Sequence, residues 1–193
     1  DVTPSNAVRM CRDAGLLYEI MGVVRAYTVR HGPGPMPTFD KKLTLQIPDA
    51  HNAFGEWQRE FRVGYFDSVM TRLAIGICSK ELEREGVTAL FVTCLDRLTD
   101  IEEVKVCDFY EGTRTVHELE PQSLSRIGKV EKKMSTNFVS RLEPHYSHFD
   151  SRYAKDSREY GEAFAKFVLS NIKRRLTLSG LSFGQAREDK FFV

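Results

Sequence analysis

The 193-residue sequence predicts an α/β fold in which a largely parallel sheet is flanked by helices. Two observations lead to this prediction. Short β-branched segments alternate with segments of helical periodicity, and residues 87–93 are almost entirely apolar, which is typical of a strand buried on both faces of a parallel sheet. The length suits one domain with a sizeable core, or two very small ones, and since no internal repeat appears we treat 1–193 as a single domain.

The first half of the chain predicts one strand and one helix. Residues 21–29 are rich in β-branched side chains and lead into 31–37, where three Pro and two Gly exclude the interior of a helix or sheet. Asp67 is a candidate N-cap for an amphipathic helix that ends near Ser79. A strand therefore delivers its carboxyl end into a rigid loop.

The second half predicts three strands and a helix. The strands are expected at 87–93, 104–110 and about 176–182, and the helix begins near Ser157. Between 118 and 152 apolar residues are sparse, and only one helix, near 129–141, is suggested there.

Composition excludes several classes of function. Lys and Arg total 28 against 27 Asp and Glu, so no field of one sign favours nucleic acid or an anionic membrane surface. No apolar run approaches the ~18 residues of a membrane span, and no leader is visible. Four widely spaced cysteines form no C-x-x-C pair, which predicts reduced thiols in a cytoplasmic protein and no metal site.

Three loops that follow strands, at 30–38, 94–100 and 182–190, are expected to form the walls of one site, since ligands bind beyond the carboxyl ends of parallel strands. Asp96 in the second loop has the chemistry to accept hydrogen bonds from N1–H and the exocyclic amine of guanine. Taken singly, Asp96 also suits a capping role, and 30–38 also suits a proline-rich turn without a ligand.

Six segments occur in an order that carries a family resemblance. They are TPSN at 3–6, VRAYTVRHGPGPMPT at 24–38, HNAFG at 51–55 with RVGYFD at 62–67, TCLD at 93–96, IEEVKVC at 101–107, and SFG at 182–184 followed by RE at 187–188. In this order they resemble motifs of the adenylosuccinate synthetase family. The resemblance covers the second half of that family's chain.

The resemblance implies a GTP-dependent ligase that forms a C–N bond between a 6-oxopurine nucleotide such as IMP and an amino acid, within purine nucleotide biosynthesis. GTP phosphorylates the 6-oxygen, and the amine then displaces phosphate. The resemblance also implies Mg²⁺ on the nucleotide phosphates and a homodimer. The family's GDEGKGK loop and catalytic His precede the matched segments, so no catalytic residue is assigned in this chain. We expect it to begin within a longer protein, whose N-terminal half supplies those groups and most of the Mg²⁺ site.

The resemblance also assigns binding roles by position. For IMP the residues are Thr3, His31, Gly32 and Arg59. For the amino acid they are Trp57, Gln58, Arg59 and Arg62. For GTP they are Cys94, Leu95, Asp96, Ser182, Phe183 and Gly184.

Two departures from the family motifs predict altered specificity. The arginine-rich aspartate loop is replaced by EWQREFR at 56–62, whose carboxylates would repel a dianion, so we expect an amino compound with less negative charge than aspartate. Cys94 replaces the lysine of the guanine motif, so we expect weaker selectivity for guanine. The alternative is a catalytically inactive, nucleotide-binding paralogue with a regulatory or assembly role.

Overall fold

The computed structural model describes residues 4–49, 52, 54–81, 86–111 and 138–193. The helices of these ranges are α1 (Ser5–Asp13), α2 (Lys41–Gln46), α3 (Ser68–Glu81) and α4 (Arg158–Ile172), with short 3₁₀ helices at Leu95–Asp100 and Arg187–Asp189. The strands are β1 (Met21–Arg25), β2 (Thr28–His31), β3 (Phe61–Gly64), β4 (Phe66–Asp67), β5 (Ala89–Thr93), β6 (Lys105–Glu111), β7 (Glu143–His148), β8 (Thr177–Ser182) and β9 (Lys190–Phe192).

The central sheet has the order β1-β5-β8-β9, in which the first three strands are parallel and β9 is antiparallel. Its middle strand β5 is buried from Ala89 to Val92, as the apolar run predicts. Both the strand expected at 87–93 and the last strand expected at 176–182 are confirmed. Their parallel pairing brings the carboxyl ends of β1, β5 and β8 to one edge of the sheet.

The single strand predicted over 21–29 is wrong, because the chain bends at Ala26 and Tyr27 and divides it into β1 and β2. β1 pairs with β5 in the central sheet, whereas β2 pairs antiparallel with β3, with Thr28 opposite Gly64. Residues on both sides of the bend are similarly β-branched. Local composition therefore does not reveal that they belong to different sheets.

A third sheet has the order β4-β6-β7. The strand predicted at 104–110 is confirmed as β6, although it does not join the sheet that contains β5. The sequence does not predict β7, because its half-exposed segment EPHYSH lacks an apolar run. Its place is set by antiparallel pairing with β6.

Both predicted helices are confirmed, together with their N-caps. The Asp67 carboxylate accepts a hydrogen bond from Met70 N (2.9 Å), and Ser157 Oγ accepts one from Tyr160 N (3.1 Å). The expected loop at 94–100 is instead a 3₁₀ helix, held down by the fully buried Leu95 and by Leu98. The helix suggested near 129–141 lies largely outside the described residues.

Candidate functional site

The carboxyl edge of the central sheet opens into a cavity of about 740 Å³. Arg25 at the end of β1, Thr93 at the end of β5 and Ser182 at the end of β8 all line it. Segments 93–97 and 182–185 therefore meet across one cavity, as the sequence predicts for two of its three loops. Loop 30–38 contributes no residue to this lining, so this cavity brings together two of the three candidate walls.

One wall of the cavity contains Cys94. This residue has a left-handed backbone conformation (φ 61°), which redirects the chain from β5 into the 3₁₀ helix. The next residue, Leu95, is fully buried and anchors that helix in the core. Asp96 follows in the first helical turn and lines the cavity, where partial burial raises the pKa of its carboxyl group. A half-buried acceptor therefore lies beside the end of the sheet.

The opposite wall is the turn after β8. The buried Ser182 donates a hydrogen bond from Oγ to the carbonyl of Gly184 (2.9 Å), and Phe183 N donates to the carbonyl of Asp189 (3.0 Å). Ser182 and Gly184 line the cavity, whereas the Phe183 ring lies close against Gly161 of α4. A Cβ on Gly161 would lie 2.4 Å from that ring, so helix and turn are tightly packed.

The cavity is also lined by charged side chains, most of which the sequence does not single out as ligand contacts. Arg25, Arg97 and Lys190 line it, against the carboxylates of Asp49 and Asp96. Arg97 donates to the carbonyl of Pro48 (3.0 Å), while the Arg25 guanidinium makes no hydrogen bond or ion pair among the described residues. The lining thus has three cationic side chains against two acidic ones, and this positive excess favours an anionic ligand.

Tyr27 lies at the bend between β1 and β2 and also lines this cavity. Burial raises its pKa to about 12, and the nearby Cys94 adds to the shift. A tyrosine hydroxyl is protonated at neutral pH with or without this shift, so Tyr27 places a neutral hydroxyl beside Cys94 at the cavity wall.

A second cavity, of about 530 Å³, lies between α2 and β3. Five of its lining residues have large apolar side chains: Phe39, Leu45, Ile47, Phe54 and Phe61. Pro48, Asp49 and Asn52 line both cavities, so the two share a wall.

A tight turn precedes β3 beside this second cavity. Arg59 N donates to the carbonyl of Gly55 (2.7 Å), and Arg59 itself has a left-handed backbone (φ 56°). This closure places Trp57 at the tip of the turn with its side chain almost fully exposed. Trp57, Gln58 and Arg59 therefore project from one short turn.

Loop 32–34 is held in place by the end of this turn and by β3. Arg62 Nη2 donates to the carbonyls of Gly32 (2.6 Å) and Gly34 (2.9 Å), and Gly32 N donates to the carbonyl of Glu60 (3.0 Å). His31 Nε2 donates to Asn52 Oδ1 (2.9 Å). The geometry thus gives Arg62 a role in bracing the loop.

The chain matches one protein family along almost its whole length. The family model described as Adenylosuccinate synthetase matches residues 2–187. The chain belongs to the adenylosuccinate synthetase family. Curated synthetases resemble it at 34% identity over the whole chain in Synechococcus sp. (strain RCC307) and at 36% over 60% of the chain in Prochlorococcus marinus (strain MIT 9313).

The chain spans less than half the length of these synthetases, namely 43% and 27% respectively. The structure of a fully ligated adenylosuccinate synthetase from Plasmodium falciparum is similar in fold, with a TM-score of 0.63 and 18% identity. The similarity covers 92% of this chain and 40% of that one. The mixed α/β architecture with a largely parallel sheet is therefore that of the synthetase family.

The structure places the residues that match synthetase motifs in three settings. Cys94, Asp96, Ser182 and Gly184 line the larger cavity, and Arg62 lines the smaller one. Leu95 lies in the core, so any contact that it makes with a ligand comes from its backbone, and the partly buried Phe183 ring packs on α4. Thr3 lies outside the described residues.

Within the described ranges, no group of three or more His, Cys, Asp or Glu side chains is arranged to hold a metal ion. Among the same residues, no helix has the length and apolar character needed to cross a membrane.

Proposed function

We propose that this chain forms the guanine-, ribose- and amino-acid-binding part of a GTP-dependent ligase, which joins a 6-oxopurine nucleotide such as IMP to an amino compound. The observation that carries the proposal is the meeting of Cys94–Asp96 and Ser182–Gly184 across one cavity at the carboxyl edge of the central sheet. Membership of the synthetase family supports the same reaction.

Asp96 recognises guanine in this proposal. Its carboxylate accepts hydrogen bonds from N1–H and the 2-amino group, a pattern that adenine does not offer. The Tyr27 hydroxyl and the unpaired Arg25 guanidinium, which line the same cavity, supply donors for the ribose and phosphate oxygens. Cys94 provides no ammonium group, so selectivity for guanine rests mainly on Asp96.

Transfer of the phosphoryl group requires parts that we assign to an N-terminal half of the enzyme. These are the phosphate-binding loop, the catalytic Asp and His of the family, and most of the Mg²⁺ site, which neutralises charge on the phosphates. We further propose a homodimer that acts in cytoplasmic purine nucleotide biosynthesis, with no nucleic-acid or membrane partner.

The nucleotide site is tested by isothermal titration of the chain with GTP and ATP. Asp96→Ala is expected to lower GTP affinity roughly tenfold or more while changing ATP affinity little. Without the carboxylate, N1–H and the 2-amino group of guanine have no acceptor in the site. Asp100→Ala, in the same 3₁₀ helix but outside the cavity lining, is the matched control. Equal GTP binding before and after Asp96→Ala would remove this residue from the site.

A second candidate is a nucleotide-binding regulatory or assembly paralogue without catalysis. It is favoured by the replacement of the family's arginine-rich loop by EWQREFR at 56–62. Sequencing the gene upstream separates the two: an intact GDEGKGK loop supports the ligase, and a degraded loop supports the paralogue.

A further inference from the structure

The smaller cavity points to the class of amino compound that the ligase uses. We infer that it takes a zwitterionic amino acid with an apolar side chain, in place of aspartate. This inference rests on the proposed ligase function and concerns its second substrate.

The apolar lining is the first argument. Phe39, Leu45 and Phe54 each leave two fifths or more of their surface exposed, and Leu45 and Phe54 are more than 70% exposed. Exposed apolar side chains that line one concave surface are characteristic of a binding site. A ligand with an aliphatic or aromatic side chain removes this surface from water, whereas the side-chain carboxylate of aspartate gains nothing from contact with it.

The charges of the cavity are the second argument. Lys41 and Arg62 stand against Asp49 and Glu60, so the lining is balanced. A zwitterion matches this balance, because its ammonium group meets the carboxylates and its carboxylate meets the cations. Arg62 already donates from Nη2 to two backbone carbonyls, which leaves it fewer donors for a second carboxylate of the ligand.

The position of the cavity is the third argument. Pro48, Asp49 and Asn52 form a wall common to this cavity and the nucleotide cavity. An amino acid seated here lies beside the nucleotide-binding region, as a reaction between the two substrates requires.

The test is titration of the chain with L-phenylalanine, L-leucine and L-aspartate, with and without saturating GTP and IMP. Trp57 is the sole tryptophan and lies three residues from both Phe54 and Glu60, so its fluorescence gives a second readout. We expect L-phenylalanine and L-leucine to bind at least roughly tenfold tighter than L-aspartate.

Leu45→Ser is expected to weaken binding of L-leucine about tenfold and to leave GTP affinity unchanged, since Leu45 does not line the nucleotide cavity. Leu17→Ser removes another exposed leucine, outside both linings, and is expected to change neither. Both side chains are exposed, so neither variant threatens folding.

Aspartate binding that equals or exceeds that of the apolar amino acids would overturn the inference. Binding of no amino acid under either condition would also overturn it. In both cases the response of GTP affinity to Asp96→Ala still decides the nucleotide site, so the proposed function stands or falls separately.

Discussion

At the scale of a single residue, the proposed role of Asp96 predicts that guanine recognition depends on pH. Because burial raises the pKa of its carboxyl group, it takes up a proton at a higher pH than an ordinary Asp near 3.9. GTP affinity is expected to fall as pH decreases through this raised pKa, since the protonated acid loses acceptor capacity. Isothermal titration between about pH 7 and pH 4.5 measures the effect, and GTP affinity should depend less on pH in Asp96→Asn, where only other groups such as the GTP phosphates titrate. Equal pH profiles for the two chains would contradict the assignment.

Gly64 shows how closely backbone segments pack behind the smaller cavity. A Cβ at this position would lie 2.3 Å from the carbonyl oxygen of Thr38. This is a backbone atom, which cannot move aside as the end of a flexible side chain can. Gly64→Ala is therefore expected to destabilise the chain by about 1–3 kcal/mol. Urea denaturation measures this as a lower midpoint. Gly55→Ala, whose nearest neighbour would be at 3.9 Å, should leave the midpoint almost unchanged, and equal midpoints for both variants would refute the steric argument.

The residues of the candidate site differ in how far the sequence reveals them. Asp96 and Ser182 follow apolar strands within recognisable motifs, so their place at the cavity is predictable. Arg25, Tyr27 and Asn52 reach it through the bend after β1 and the packing of distant loops. That convergence depends on long-range pairing, which local sequence does not encode.

At the scale of elements, α3 is capped by the carboxylate of Asp67, whose charged form is disfavoured by burial. Burial raises the pKa of Asp67, although its side chain accepts hydrogen bonds from Met70 N and the Tyr110 hydroxyl. A raised pKa in the folded state means that protonation favours folding. Stability is therefore lost as pH rises through the folded-state pKa.

Asp67→Asn removes this titration but keeps a good N-cap. Relative to this variant, the unaltered chain is expected to lose stability as pH rises from about 4, near the pKa of an unfolded Asp, through the higher folded-state pKa. Asp67→Ala should be about 1 kcal/mol less stable than Asp67→Asn at every pH, because neither variant titrates at this position and the cap itself is gone. Denaturation midpoints across the pH range test both statements, and a constant difference between the unaltered chain and the Asp67→Asn variant would contradict the first.

Elements with local signals are predictable, and those set by distant partners are not. The helices α3 and α4 carry their own N-caps and apolar faces, so each starts where its sequence indicates. β5 is revealed by an apolar run. β3 and β7 are half polar and exist because β2 and β6 pair with them, and the division between β1 and β2 has the same cause.

At the scale of the whole molecule, the central sheet is covered unequally. Val24, Leu90, Val92 and Leu181 turn one face into the core, whereas Val23 (64% exposed) and Phe192 (75% exposed) lie on the other, with Phe91 between them. Parallel sheets are normally covered on both faces. Among the described residues, the Val23 face lacks such a layer over its outer strands.

We expect this face to promote association of the isolated chain. Sedimentation should show a mass that rises with protein concentration, and Val23→Lys should suppress the rise by placing a charge on an edge strand. Leu17→Lys, which adds the same charge at an exposed position outside the sheets, should not. A concentration-independent mass for the unaltered chain would contradict this expectation.

The bend at Ala26 and Tyr27 has a mechanical consequence. These two buried residues link the end of β1 directly to the start of β2, and Ala26 N is pinned to the carbonyl of Thr93 (2.8 Å). Because this link is only two residues long and is hydrogen-bonded, we expect the central sheet and the β2–β3 hairpin to move little relative to each other. We therefore expect a displacement of Thr93 or Cys94 to be passed through Ala26 to the start of β2 and on to His31 and loop 32–34.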